Sequence, residues 1–255
     1  MIDMHCHLLP GVDDGPKDWD ESLALVRQGA EDGIKAALVT PHLGELNPGY
    51  AEVVKEKFSE LVGRVREEGI DMRLILGAEV AFDLGLERLK EFGLGTFGGR
   101  YFLLELLPLG FVSPSLEEVL FNLHLEGLRP VLAHIERYPG LVDDTKRLEK
   151  LVRTGALLQV NAEAFLRKQA KTALKLVRMG LVHIVGSDAH DPRSRPMRMA
   201  EAYGVVKEKL GARMAERIFE ETPEALLSGE EVDLEPMAKE ERSIFGRIVQ
   251  RLRGT

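Results

Sequence analysis

The N-terminal stretch reads Met-Ile-Asp-Met-His-Cys-His-Leu-Leu-Pro-Gly-Val-Asp-Asp-Gly at residues 1–15. Its first part is a short apolar run that predicts a buried strand at 2–6. Because side chains alternate along a strand, His5 and His7 are expected to share one face. Asp14 follows in the loop after this strand. The stretch therefore combines a buried strand with three residues of metal-binding type near its C-terminal end.

The same pattern, an apolar run followed by a helical pattern, recurs along the chain. Six further runs predict strands at 36–40, 73–78, 101–106, 130–133, 157–161 and 182–186. Amphipathic patterns predict helices at 22–33, 50–68, 115–127, 143–154, 164–179 and 197–209. The runs lack polar alternation, which is typical of strands buried on both faces of a parallel sheet. Strand–helix repeats of this kind predict an α/β barrel or a doubly wound sheet.

Imidazole and carboxylate side chains recur where these predicted strands end. Beyond the first strand and its loop, they are His42, Glu79, Glu105, His134, Asp188 and His190. Active sites of parallel α/β folds are built at the C-terminal ends of strands. Mixed imidazole and carboxylate donors without a thiolate suit Mn²⁺, Fe²⁺ or Zn²⁺, and nine such residues are too many for one ion. We therefore expect a cluster of two or three divalent ions with at least one bridging carboxylate.

Two arginines and the single cysteine require separate interpretations. Arg137 and Arg195 follow the fifth and seventh predicted strands, so both loops bring a cation to the ligand-bearing face. A planar guanidinium fork at such a place matches the oxygens of a phosphate. Cys6 lacks the arginine six positions later that a cysteine phosphatase loop requires, because Val12 stands there. We interpret Cys6 as a small buried apolar residue.

Five other residues near these motifs have weaker signals. His124 lies inside a helical pattern and His183 lies at a strand start, so both are interpreted as structural. Asp3 and Asp13 lie near the candidate site without an obvious partner. Tyr138 is a candidate wall of a phosphate pocket.

Composition disfavours several classes of protein. The 255 residues include 34 Lys plus Arg and 42 Asp plus Glu, and the formal net charge of −8 argues against nucleic-acid binding through bulk charge. A single cysteine rules out an intramolecular disulfide and favours a reducing, cytoplasmic compartment. No apolar run reaches the roughly 18 residues of a membrane-spanning helix, and the N-terminus lacks the features of a secretory signal.

The pattern indicates one domain, residues 1–235, followed by a different C-terminal segment. Residues 236–255 predict a basic amphipathic helix, because its apolar residues recur at helical spacing among arginines, as Ile244, Phe245, Ile248, Val249 and Leu252. We expect this helix to dock on the body of the protein. Contact with a partner or with a membrane surface is the alternative.

Taken together, the motifs resemble the PHP (polymerase and histidinol phosphatase) family. They span about residues 1–225 and consist of His5-Cys-His7 with Asp14, Pro41-His42, Glu79, Glu105, His134 and Ser187-Asp188-Ala-His190. The resemblance implies a distorted (β/α)7 barrel, a TIM-like fold, with a trinuclear metal site. Within the family, residues 5–15, 40–42 and 134–138 are similar to bacterial tyrosine-protein phosphatases encoded with capsule and exopolysaccharide genes.

The resemblance also implies a role for each candidate site residue. One ion would be held by His5, His7, Glu79 and Asp188, a second by Glu79, Glu105 and His134, and a third by Asp14, His42 and His190. Arg137 and Arg195 match the phosphate-binding arginines of the family. Mn²⁺ is the expected ion, with Fe²⁺ or Zn²⁺ as alternatives. Either His42 or a metal-bound water is the expected proton donor to the leaving group.

The expected activity is metal-assisted hydrolysis of a phosphomonoester. A phosphotyrosine protein is the expected substrate, and the partner implied by the resemblance is an autophosphorylated bacterial tyrosine kinase. The alternatives are a small-molecule phosphatase of the histidinol-phosphate type and a PHP-type nuclease or nucleotide phosphoesterase, which the acidic balance disfavours. A non-catalytic metal-binding regulator is disfavoured because all nine ligand positions are present. Self-association into a homo-oligomer stays open.

Overall fold

The computed structural model describes residues 1–44, 46–82, 86, 89–106 and 112–232. The strands in these ranges are β1 (Ile2–Cys6), β2 (Ala36–Val39), β3 (His42–Leu43), β4 (Arg73–Leu76), β5 (Glu79–Ala81), β6 (Thr96–Phe97), β7 (Tyr101–Glu105), β8 (Arg129–Leu132), β9 (Leu157–Asn161) and β10 (Ile184–Gly186). The α-helices are α1 (Trp19–Glu31), α2 (Pro48–Glu67), α3 (Leu89–Phe92), α4 (Leu116–Leu125), α5 (Pro139–Val142), α6 (Thr145–Arg153), α7 (Ala170–Arg178), α8 (Ala200–Leu210), α9 (Ala212–Glu216) and α10 (Thr222–Leu227). The helix predicted at 236–255 lies outside the described residues.

The parallel strands form a curled sheet that closes on itself. β1, β2 and β4 pair in that order, and a second run pairs β3, β5, β7, β8, β9 and β10. β3 continues the line of β2 and β5 continues the line of β4, since only two residues separate the members of each pair. Asp188 N donates to His5 O at 2.7 Å and His7 N to Ala189 O at 2.8 Å, which joins the β10 end to β1. The expected distorted barrel with seven strand lines is therefore confirmed.

Two predicted strands, 36–40 and 73–78, are interrupted near their C-terminal ends. Pro41 follows β2 and has no backbone N–H to donate to the ladder. After β4, the chain passes so close to the neighbouring strand β2 that a Cβ added at Gly77 would lie 3.1 Å from Leu38 Cδ1. Both lines resume at once, and in the resumed register His42 pairs directly with Glu79. The interruptions thus place two candidate ligands side by side.

Each predicted helix is present, with its ends shifted by a few residues. Local capping explains where the first two begin: Asp18 accepts a hydrogen bond from Glu21 N at the start of α1, and Asn47 caps α2. The largest difference is at 164–179, where a 3-10 turn at Ala162–Phe165 precedes a helix that begins only at Ala170. Within the described ranges, none of the helices combines the length and the apolar character of a membrane span.

A bulge in β1 decides which of its side chains face the inside of the barrel. Between two paired positions, β1 takes three residue steps while β2 takes two. Met4 packs among the side chains that fill the barrel, and strict alternation would put Cys6 inside as well. Instead Cys6 packs in the outer core between sheet and helices, and its thiol donates to Leu38 O at 3.3 Å. The extra residue turns His5 and His7 toward the barrel axis.

The opposite end of the barrel is closed by the β6–β7 hairpin and by α10. Phe97, Tyr101 and Leu226 pack there against the side chains inside the barrel. The hairpin turn contains Gly98 and Gly99, both in the left-handed region at φ 54° and 74°.

Replacing Gly98 with alanine is expected to destabilise the fold more than the same change at Gly99. Both substitutions carry the left-handed penalty of about 1–2 kcal/mol. A Cβ at Gly98 would lie 2.1 Å from Leu226 O, whereas at Gly99 nothing in the described residues lies within 4 Å. Urea titration should show that Gly98→Ala loses about 2 kcal/mol more free energy of unfolding than Gly99→Ala. Equal losses would mean that the hairpin does not seal the barrel as described.

Candidate metal centre

The nine candidate ligands converge at the C-terminal ends of the barrel strands. Seven of them are buried, while His42 is partly exposed and Asp14 is exposed. The cluster is drawn from six strand lines. His5 lies in β1 and His7 follows it directly, His42 begins β3, Glu79 begins β5 and Glu105 ends β7. Asp14 lies in the loop after β1, His134 follows β8, and Asp188 and His190 follow β10. Burial of so many ionisable groups at one place requires that they satisfy one another or a bound cation.

Glu79 lies at the centre of this cluster. Its Oε2 is 3.1 Å from His5 Nε2 and 3.3 Å from His7 Nε2. The same oxygen is 3.2 Å from His42 Nδ1. Its other oxygen, Oε1, is 2.9 Å from His134 Nε2. Oε2 thus faces three imidazoles and Oε1 faces a fourth, so the two oxygens of one carboxylate point to different sides, as those of a bridging ligand must.

Ligand atoms within 4.8 Å of one another form three groups: His5, His7 and Glu79; His42, Glu79 and Glu105; and His7, Asp14, His42 and His190. The groups overlap with the three sets implied by the family resemblance but divide the residues differently. His7 and His42 each belong to two groups in the structure. Asp188 and His134 lie at the border, with Asp188 Oδ1 3.5 Å from His5 Nε2 and His134 Nε2 3.5 Å from Glu105 Oε1.

The donor chemistry fits divalent cations. His5 Nε2 and His7 Nε2 are 3.2 Å apart, and at most one hydrogen atom can lie between them. Both nitrogens also lie against Glu79 Oε2, at 3.1 Å and 3.3 Å, so the three potential donor atoms form one close group. Two atoms bound to one ion at about 2.1 Å are themselves about 3 Å apart, as these nitrogens are. Imidazole and carboxylate donors together suit ions of borderline hardness.

The ligands also shift one another's pKa strongly. Burial alone would lower the pKa of His7, but hydrogen bonds to Asp13 and Glu79 raise it to about 10. Burial likewise opposes the rise at His134, where Glu105 and Glu79 bring the pKa to about 9. A cation competes with these imidazole protons for the same carboxylates, so metal binding should release protons.

Asp188 presents one oxygen to the ligands and the other to two arginines. Its Oδ2 accepts from Arg137 at 2.5 Å, from Arg195 at 2.6 Å and from Asn161 Nδ2 at 2.8 Å. Burial would raise the pKa of Asp188, but the charges of His5 and both arginines hold it well below its usual range. The arginine side chains are each 34 % exposed and line a cavity of about 410 Å³ together with the ligands. A phosphate in this cavity would meet both guanidinium groups.

Asp13 has the partner that its sequence did not reveal. Its Oδ2 accepts from His7 Nδ1 at 2.8 Å and from His42 N at 3.0 Å. Its Oδ1 accepts from Gly15 N at 2.9 Å. Burial alone would raise the pKa of Asp13, but the hydrogen bond from His7 and the charge of His7 lower this pKa to about 2. A carboxylate in this position fixes the tautomer and the direction of a ligand imidazole.

Gln159 is a polar residue that the sequence interpretation did not identify, and Asp3, expected near the candidate site without an obvious partner, has two partners in the structure. Gln159 Oε1 accepts from His134 N at 2.6 Å and lies 3.4 Å from His5 Nδ1. Asp3 Oδ1 accepts from Ser187 N at 2.8 Å and from His5 N at 3.1 Å. The sequence signal that could have identified Gln159 is its place as a polar residue among the apolar residues of predicted strand 157–161. The structure shows it fully buried in β9.

The interpretation of Tyr138 as a pocket wall was wrong. Its side chain is fully buried, its ring stacks on that of His134 with centroids 6.0 Å apart, and its hydroxyl donates to Leu106 O at 2.7 Å. Tyr138 therefore supports a ligand from behind. The two histidines interpreted as structural lie away from the cluster, with His124 on α4 and His183 Nδ1 accepting from Leu158 N at 3.0 Å.

Replacing Asp13 with asparagine is expected to weaken Mn²⁺ binding about 10- to 100-fold, because His7 loses the carboxylate that orients it. The amide oxygen still accepts from a backbone N–H, so the loop itself should be preserved. Titration calorimetry on wild type and variant measures the change. Asp18→Asn, at the exposed N-cap of α1, is the matched control and should bind Mn²⁺ as wild type does. Wild-type affinity in Asp13→Asn would contradict the orienting role.

Comparisons with known proteins show the family of the chain. The sequence profile described as "Capsular polysaccharide synthesis, CpsB/CapC" matches residues 1–228. The chain is 33 % identical to the tyrosine-protein phosphatase CpsB of Streptococcus pneumoniae, over 89 % of this chain and 98 % of that protein. It is 30 % identical to the tyrosine-protein phosphatase YwqE of Bacillus subtilis, over 96 % of this chain and 99 % of that protein.

Solved structures show the same likeness. Bacillus subtilis YwqE and Streptococcus pneumoniae CpsB have been described together as "unique metal-dependent tyrosine phosphatases". A crystal structure from that pair matches this chain with a TM-score of 0.83. It is 28 % identical in sequence and covers 94 % of this chain and 100 % of its own. A histidinol phosphate phosphatase of Lactococcus lactis, with a TM-score of 0.52 at 12 % identity over 86 % of this chain and 94 % of its own, is similar in fold alone. Because the profile matches most of the chain and both relatives align over nearly their whole length, this chain belongs to the CpsB/CapC family of capsular polysaccharide synthesis.

Proposed function

We propose that this protein is a metal-dependent protein-tyrosine phosphatase that acts in the regulation of polysaccharide biosynthesis. The observation that carries the proposal is the cluster of imidazoles and carboxylates beside Arg137 and Arg195 in one cavity. That combination serves phosphomonoester hydrolysis, because cations are needed both to activate water and to offset phosphoryl charge. The names of the CpsB and YwqE relatives support phosphotyrosine as the substrate.

We assign the nine clustered residues to two or three divalent ions, with Mn²⁺ first and Fe²⁺ or Zn²⁺ as alternatives. The assigned ligands are His5, His7, Asp14, His42, Glu79, Glu105, His134, Asp188 and His190. When bound, the ions supply Lewis acidity, which lowers the pKa of a water molecule and offsets charge on the phosphoryl group. Three divalent ions outweigh the four ligand carboxylates, so the cavity attracts a phosphate although the chain carries a net charge of −8.

Arg137 and Arg195 bind the phosphate in this proposal. Each guanidinium group uses one Nη2 on Asp188 Oδ2 and is one-third exposed, which leaves N–H donors directed at the cavity. A guanidinium stays charged at any physiological pH and donates in a planar fork. The two arginines therefore orient the phosphate and stabilise charge that develops on its oxygens.

His42 serves as a ligand in this proposal. Its Nε2 is 3.3 Å from Asp14 Oδ1 and its Nδ1 is 3.2 Å from Glu79 Oε2, so both ring nitrogens already face carboxylates. A tyrosine leaving group has a pKa of about 10 and needs little acid assistance. Solvent at the mouth of the cavity can supply its proton.

Cys6 has none of the properties of a catalytic nucleophile. Its side chain is fully buried, its thiol donates to a backbone carbonyl, and burial raises its pKa well above the usual value. The thiolate required for attack on phosphorus is therefore disfavoured. This separates the proposed enzyme from cysteine-dependent tyrosine phosphatases.

We further propose that the phosphoprotein is a bacterial tyrosine kinase and that the enzyme acts in the cytoplasm. The link of the family to capsular polysaccharide synthesis supports the first proposal, and the single cysteine is compatible with the second. Residues 1–235 form the phosphatase domain in this account. The basic amphipathic helix expected at 236–255 stays a prediction from the sequence.

Chelation is expected to abolish hydrolysis of a phosphotyrosyl peptide, and added Mn²⁺ is expected to restore it. Treatment with iodoacetamide, or replacement of Cys6 with alanine, should leave turnover in place, because the cysteine takes no part in the reaction. Phosphate release reports activity, and circular dichroism confirms that the fold is intact in each sample. Activity that survives chelation, or that is lost on alkylation of a folded protein, would refute a metal-dependent reaction.

The same assay with histidinol phosphate separates the proposal from its small-molecule alternative. A protein-tyrosine phosphatase should have a higher kcat/KM for the peptide than for histidinol phosphate. The reverse order would favour the small-molecule phosphatase.

A further inference from the structure

A second cavity adjoins the one that holds the ligands and the arginines. It has a volume of about 380 Å³ and is lined by Val12, Asp13, Asp14, His42, Gly44 and Tyr50. Three of these residues, Asp14, His42 and Gly44, also line the 410 Å³ cavity. The two cavities are therefore parts of one cleft, with the arginines at one end and Val12 and Tyr50 at the other.

The acidic groups in the second cavity are directed toward the cluster. Asp13 is hydrogen-bonded to His7, as described above. Asp14 Oδ1 is 3.2 Å from His190 Nε2 and 3.3 Å from His42 Nε2. Both oxygens of Asp13 are therefore engaged, whereas Asp14 directs one oxygen at the candidate ligands and stays 64 % exposed.

The remaining walls are apolar and held in place. Tyr50 donates its hydroxyl hydrogen to His42 O at 2.6 Å, so its polar end is satisfied and its ring is fixed beside the cavity. Val12 adds an aliphatic surface that is half-buried against the outer core. At the junction, a Cβ added to Gly44 would meet no described atom within 4 Å. Within the described residues, the position of Gly44 at this junction is therefore uncrowded.

We propose that the cavity formed by Val12, Gly44 and Tyr50 is a subsite for an apolar side chain adjacent to phosphotyrosine in a protein substrate. The inference rests on the proposed function. With the phosphate at Arg137 and Arg195, the polypeptide continues along the cleft past Gly44, and an adjacent side chain enters the second cavity. A volume of about 380 Å³ holds such a side chain, and Val12 and the ring of Tyr50 supply apolar walls for it. The enzyme therefore selects among phosphotyrosines by the residues that flank them.

The test uses the Mn²⁺-reconstituted enzyme and two phosphotyrosyl peptides that differ only in the residues flanking phosphotyrosine, which are leucine in one and aspartate in the other. Burial of one apolar side chain in a pocket discriminates substrates by about tenfold or more. We expect kcat/KM of the wild type to be about tenfold higher for the leucine peptide. p-Nitrophenyl phosphate, which has no flanking residues, is measured alongside.

Val12→Lys supplies the second arm of the test. A cation at this position should reverse the preference, so that the aspartate peptide becomes the better substrate. Val62→Lys is the matched control, because it makes the same change at a 41 % exposed position on α2 that lines neither part of the cleft. It should keep the wild-type ratio between the two peptides.

The outcomes separate the subsite from the function on which it rests. Equal kcat/KM of the wild type for both peptides would overturn the subsite and leave the phosphatase proposal standing. A Val12→Lys variant that lowers turnover of both peptides by the same factor would also overturn it. Hydrolysis of p-nitrophenyl phosphate with no turnover of either peptide would overturn the proposed function together with the subsite.

Discussion

A buried cluster of ionisable groups is stable only when each group faces an opposite charge or a hydrogen-bond partner, and Glu79 provides that compensation at the centre of this barrel. Burial alone would raise the pKa of Glu79, yet the charge of His5 and the hydrogen bonds of the surrounding imidazoles hold it well below its usual value. The departures of the sheet from regularity serve this arrangement. The bulge in β1 turns His5 and His7 inward, and the interruption after β2 brings His42 into register with Glu79.

The groups around the cluster contact the candidate ligands and restrict the orientation of their side chains. Asp13 fixes His7, Gln159 contacts His5 and the backbone of His134, and Tyr138 supports His134 from behind. The backbone at the end of β10 also passes close to His5, because a Cβ added at Gly186 would lie 2.4 Å from His5 Cβ. Supporting residues of this kind tune metal affinity as strongly as many ligands do.

The repeated pattern of strand and helix predicts an α/β barrel or a doubly wound sheet, and the family resemblance selects the barrel. The residue types at the strand ends were sufficient to bring the candidate ligands together. Other features depend on contacts between segments distant in the chain. The bulge in β1 depends on its register with β2, and the interruption at Gly77 on the approach of Leu38. The sequence places Asp13 near the site but does not predict its partner: His7 is only six residues away, yet the link runs through a loop with no periodic pattern. Tyr138 was placed wrongly because its sequence position does not reveal that the ring turns under His134.

We expect Glu79 to be shared between ions in a multinuclear centre at the top of the barrel. Anomalous diffraction at the manganese absorption edge, from crystals grown with Mn²⁺, would locate these ions. Two or three anomalous peaks should lie inside the cluster, with Glu79 Oε1 and Oε2 bound to different ions. A single peak that contacts only one oxygen of Glu79, or peaks that lie away from the cluster, would contradict this expectation.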